Sequence, residues 1–189
     1  SDPVFVNNVS NGTSEIHDAS VYHFADPIDT MEMIAYFEAI LDHNIYERIQ
    51  NDEKPIPTVI TCPRISRDMS ATLKQLAQHL YQYDNSGMSS AKPPILIVTN
   101  VVASDEVIMD DIANLCGCKS IRKYIDPKIK KRDQEEGKAP TVENVFEFAG
   151  KAEMVVADAK KTKFINPQHM HKINDDGTVT EDPIYTMLV

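Results

Sequence analysis

The sequence predicts a single α/β domain, a parallel or mixed sheet flanked by helices, with an extra β-hairpin or β-sandwich part. Three observations carry that expectation. Short apolar runs, Thr58-Val59-Ile60-Thr61-Cys62 and Ile95-Leu96-Ile97-Val98, are too continuously hydrophobic for half-exposed strands. Segments of helical periodicity alternate with them between residues 58 and 125, the signature of α/β units. The ends of the chain carry further strand-like runs and the turn-forming pair Asn11-Gly12. With 189 residues, 42% hydrophobic and 25% charged, the chain has the balance of one well-packed globular domain.

From the N-terminus, residues 4–24 read as a hairpin or two strands around Asn11-Gly12. Asp26-Pro27 marks a boundary, and Asp29 or Thr30 is placed to cap the helix that follows. In that helix Met33, Ile34, Phe37, Ile40 and Leu41 recur at three- and four-residue spacing, continued by Ile45. Residues 47–57 are polar, end in Pro55-Ile56-Pro57 and read as a linker into the first buried strand. A second helix is expected over 66–82, capped by Ser66, with Met69, Leu73, Leu76 and Leu80 on one face. Residues 83–92 have the composition of a loop.

After the strand at 95–98, a third amphipathic helix covers 105–115 with Ile108, Ile112 and Leu115, and Gly117 stands at its C′ position. Lys119 to Ile125 reads as a strand, followed by a charged loop to Pro140 and a short helix capped by Thr141. Glu153 to Asp158 and Lys163-Phe164-Ile165 read as two more strands. Residues 168–189 form a polar tail or edge hairpin of the same domain, with a hairpin turn at Asp175-Asp-Gly-Thr and an edge strand near its end. Residues 1–167 make up the domain proper.

Charge and cysteine content narrow the function. A net charge of −10 argues against a nucleic-acid backbone as partner, and the run KIKKR at 128–132 reads as a solvated charged segment. No apolar run is long enough to cross a bilayer. The start, SDPVFVNN, lacks a secretory signal and an initiator Met, and reads as that of a processed or excised fragment. Three cysteines without framework spacing point to a reducing, cytoplasmic compartment.

Cys116-Gly-Cys118 has the wrong spacing for a zinc knuckle, and only Cys62 and scattered histidines could complete a metal site. An α/β enzyme or metal protein built on Cys62, Cys116 and Cys118 is the alternative function. His169-Met-His171 lies in the polar tail and is a weak metal candidate. No P-loop, GxGxxG or GxSxG motif is present, so no catalytic residue and no cofactor-binding or metal site is assigned, and a binding module is favoured over an enzyme.

Read in order, the motifs resemble the apical domain of GroEL-like, group I chaperonins. The anchors are PVFVNN before a glycine-bearing turn, FAD before the first helix with FEAIL inside it, and PIPTVITC leading into MSATLKQL. MDDIANLCGCKSI follows, then TVEN and AGKAEMVVADAKKTKFI. Each is modest alone, but their collinear order is specific and runs from about Asp2 to Ile165.

The resemblance implies a GroEL-like apical fold that binds non-native polypeptides through an apolar groove formed by two helices and a preceding loop. The loop corresponds to Val4 and Phe5, and Ile34 and Phe37 match apolar contact positions of the first groove helix. In the second, Ser70, Lys74 and Gln75 stand where the family is apolar, which shifts the expected surface to Met69 and Leu73. These polar replacements argue against a standard cochaperonin partner and suggest an outlying member, such as one encoded by a virus and working in the host cytoplasm. The resemblance further implies a full-length protein that uses ATP and Mg, hydrolyses ATP and assembles with other chaperonin subunits into a ring. This chain alone would do neither.

Overall fold

A computed structural model describes residues 12–69, 71–72, 75, 95–99, 106–158, 161–167, 172–173, 179–180 and 186–188. Eight strands are described: β1 (Ser14–His23), β2 (Thr58–Thr61), β3 (Ile95–Val98), β4 (Gly150–Ala157), β5 (Thr162–Pro167), β6 (Lys172–Ile173), β7 (Val179–Thr180) and β8 (Thr186–Leu188). Three of the helices are α1 (Met31–Leu41), α2 (Glu106–Cys116) and α3 (Pro127–Glu135). The main sheet has the order β3-β2-β1-β4-β5-β8. β1, β2 and β3 pair in parallel, while β4, β5 and β8 add antiparallel to the other edge of β1. The sheet is therefore mixed. The tail joins the sheet through β8, and β6 pairs with β7 across the turn expected at residues 175–178.

The period of two along the strands assigns the two faces. Tyr22, Ile60 and Ile97 lie side by side in register, and so do Val21, Val59 and Leu96 one residue back. The first row belongs to a core that contains Phe24, Ile28, Met33, Phe37, Ile40, Ile45, Cys62 and Phe148, so α1 covers that face. The second row packs with Ala113, Cys116 and Cys118 of the α2 end and with Ala152, Val155 and Phe164 of β4 and β5. Sandwiched between two helical layers, β2 is buried along its whole length, as its unbroken apolar run requires.

Thr30 is the N-cap of α1, its Oγ1 accepting from the Met33 N–H at 3.4 Å. The helix does not stop at Leu41. It runs on through a π-helical turn (Asp42–Tyr46) and a last α-helical turn (Glu47–Gln50), so the first four residues of the expected linker are helical. Asp52, at φ 57°, closes it as the left-handed C′ residue. Glu53 N–H donates to the Arg48 carbonyl at 2.7 Å and Asp52 N–H to that of Ile49 at 3.1 Å.

The π-turn is held by a buried polar set. Asn44 Nδ2 donates to the Tyr22 hydroxyl at 3.2 Å and to Thr58 Oγ1 at 3.0 Å, and Thr58 Oγ1 donates to the Ile56 carbonyl at 2.8 Å. The Ile56 N–H returns to the Asn44 carbonyl at 2.9 Å. One amide side chain thus ties the helix to β1 and β2.

Two expectations between 119 and 140 need correction. Residues 119–125 do not form a strand; only Ile121 bridges Phe24 in parallel. β4 occupies that edge of β1 as far as Val21, which leaves the last residues of the strand alone for pairing. The charged loop contains α3, with Asp126 as N-cap accepting from the Lys128 N–H at 2.8 Å and Pro127 at its first position. It buries none of its residues and is tethered by a Lys130–Glu32 ion pair and by Gln134 donating to the Pro140 carbonyl at 2.9 Å. Before β4, the short helix expected after Thr141 is a 3-10 turn (Val145–Phe148), and the Thr141 hydroxyl accepts from the Asn144 N–H at 3.2 Å.

Candidate polypeptide-binding face

α1 divides into two faces by its 3.6-residue period. Met33, Tyr36, Phe37, Ile40 and Leu41 point into the core. The outward side carries Met31, Glu38 and Asp42, with Ile34 and Ala35 half-buried along its margin. Met31 is 88% exposed, an unusual position for a large apolar side chain.

The residues assigned to the groove fare differently from one another. Phe37 is 1% exposed and belongs to the core beneath the sheet, so it offers no surface to a partner in this conformation. Met69 is likewise a core residue at 5% exposure. The reason is geometric: with apolar residues at 33, 34, 37, 40 and 41 the stripe is wide, and Phe37 sits one turn from both Met33 and Ile40. Ile34 packs against the rim of the same core while remaining partly open. Val4, Phe5 and Leu73 lie outside the described residues. Ser66 does cap the helix that follows it, its Oγ accepting from the Met69 N–H at 3.3 Å, and Ala71, Thr72 and Gln75 on that helix are exposed.

Sequence reasoning missed Met31 and the acidic residues that follow it. Glu38 and Asp42 are four residues apart on one face. Glu47 N–H then donates to the Asp42 carbonyl across the π-turn, which places exposed Glu47 one turn beyond Asp42. The signal was present in the four-residue spacing, but the apolar residues of the helix dominated the pattern.

The N-terminal end of α1 is fixed by charges. Asp29 accepts from Lys123 Nζ at 2.7 Å and pairs with Arg64 at 3.1 Å, and these cations hold its carboxyl below the usual range. Asp26 accepts from the Lys123 N–H at 2.8 Å. Tyr36 Oη lies 2.7 Å from Glu32 and 3.1 Å from the Pro140 carbonyl, linking the helix to the loop after α3. Near this end stand further exposed apolar side chains on the segment tethered to it, Ile125 and Ile129.

The cysteines take no part in a common site. Cys62 lies in the core under α1, and Cys116 and Cys118 in the core on the other face. All three are free and buried, and burial pushes each thiol up to about 12. Such thiols stay protonated at neutral pH and are poor nucleophiles and ligands. Gly117, at φ 70°, ends α2 as expected, with the Cys118 N–H donating to the Ala113 carbonyl at 2.9 Å. Among the described residues no group of three or more His, Cys, Asp or Glu could hold a metal ion. None of the described helices is long and apolar enough to cross a membrane.

No family model matches the chain, and no curated protein matches it. Its fold does match solved structures. The chaperonin gp146 from the bacteriophage EL 2 (Pseudomonas aeruginosa), crystallised in presence of ATP-BeFx, superposes over 85% of this chain with a TM-score of 0.52 and 10% identity. A second crystal form of that protein gives 0.51 over the same share. The fold is chaperonin-like. The chain spans about a quarter of the chaperonin it matches, 26% and 25% in the two forms.

Proposed function

We propose that this chain is the polypeptide-binding, apical part of a divergent GroEL-like chaperonin, and that it captures non-native proteins by burying their exposed apolar segments. The observation that carries this reading is the chaperonin-like fold over 85% of the chain. The collinear motifs support it, and so does an outward face of α1 that offers Met31 and Ile34. Large apolar side chains left in water cost about 25 cal/mol per Å2 of surface, a penalty recovered when an unfolded segment covers them.

Within this reading the chain is not itself an enzyme. ATP and Mg belong to parts of the longer protein, whose hydrolysis drives release, and neighbouring subunits complete a ring. Ser70, Lys74 and Gln75, polar where the family is apolar, disfavour a standard cochaperonin lid. The setting is the cytoplasm, that of the host for a phage protein.

The test is suppression of aggregation. Light scattering by a chemically unfolded protein on dilution should fall in the presence of stoichiometric chain. Scattering unchanged by an excess of folded chain would count against capture.

A further inference from the structure

Resting on the capture reading, we infer that the outer face of α1 selects for cationic segments: its clients are non-native polypeptides in which apolar residues lie beside lysines or arginines. The face is a graded strip. Met31 and Ile34 supply apolar surface at one end, and Glu38, Asp42 and Glu47 supply carboxylates towards the other. Glu47 follows one π-turn beyond Asp42, its backbone N–H donating to the Asp42 carbonyl, and its exposed carboxylate lies 3.8 Å from His43 Nδ1. Tyr46, 40% exposed, stands beside them and can stack on a guanidinium.

Among the described residues, few cations neutralise the strip. His43 Nδ1 is 3.8 Å from Glu47, and Arg48 is engaged by Glu53 at 3.1 Å and by the Lys54 carbonyl at 2.7 Å. The basic helix α3 lies at the opposite end, tied to Glu32, where its exposed Lys128 and Lys131 repel like charge. A bound segment is therefore oriented, with its apolar residues over Met31 and Ile34 and its cations over Glu38 to Glu47. The net charge of −10 steers such segments towards the chain from a distance.

The test uses the whole chain and two labelled unstructured peptides with the same apolar residues, one carrying several lysines and the other glutamates in their place. The lysine peptide should bind more tightly, with the difference shrinking as salt rises. The surface variant Glu38→Gln/Asp42→Asn/Glu47→Gln should lose about fivefold in affinity for it, given that exposed ion pairs are individually weak, and bind the glutamate peptide no worse. Equal binding of the two peptides, or preference for glutamate, would overturn the charge selection while leaving capture standing. Binding of neither peptide would overturn both.

Discussion

Gly150 packs its backbone against the end of α2 so closely that a Cβ there would lie 2.7 Å from both the carbonyl carbon of Cys116 and the backbone nitrogen of Cys118. Real side chains do not approach backbone at that distance. The first residue of β4 and the Cys116-Gly117-Cys118 corner are thus fitted to each other, and this fit explains the small residues at both places. Gly150→Ala is expected to destabilise by about 2–3 kcal/mol, since backbone on both sides must shift. Urea unfolding followed by circular dichroism measures it.

Asp52 holds a left-handed conformation at the end of the extended first helix, with its side chain exposed. Asp52→Gly removes the steric penalty and should raise stability by about 0.5–1 kcal/mol, partly offset by the greater freedom of glycine when unfolded. The midpoint of denaturation should rise with no change in slope.

Asn44 links α1 to β1 and β2 through Tyr22 and Thr58. Asn44→Ala leaves two buried hydroxyl groups short of a partner and should cost about 2–3 kcal/mol. Hydrogen exchange should show the 42–50 turns loosening before the strands do.

The thiols give a pH dependence. Their folded values, pushed up to about 12 by burial, exceed the ordinary value of 9.0. Below pH 9 both folded and unfolded chains keep these protons. Between about 9 and 12 the unfolded chain releases them first, so stability falls as pH rises through that window. At pH 8 the native chain should react with a thiol reagent far more slowly than the urea-unfolded chain, which should yield all three thiols at once.

What the sequence revealed and what it hid follow from the same physics. The strands at 58–61 and 95–98 and the Gly117 helix end were legible because each is set by local chemistry, continuous apolar runs and one left-handed position, although the second strand is buried only at Ile95 and Leu96 and leaves Ile97 and Val98 partly exposed. α3 was hidden because its residues make no apolar stripe, though Asp126-Pro127 already spelled a helix start. The split of α1 into core and surface could not be read from spacing. Its apolar stripe is wide enough to be rotated either way, and only the sheet beneath decides that Phe37 goes in while Met31 stays out.

That decision separates two substitutions. Phe37→Ala should cost about 3–4 kcal/mol through the cavity it leaves, whereas Ile34→Ala, at the half-buried rim, should cost about 1 kcal/mol. Thermal melts of the two variants check the difference.

The most direct test of the capture reading is equilibrium binding of a permanently unfolded protein to the purified chain, compared with Met31→Glu and Ile34→Glu variants shown to be folded by circular dichroism. The account predicts that wild type binds and that charge at either position weakens binding severalfold. Undiminished binding by both folded variants would contradict the placement of the site on α1, and absence of binding by the wild type would contradict capture by this chain.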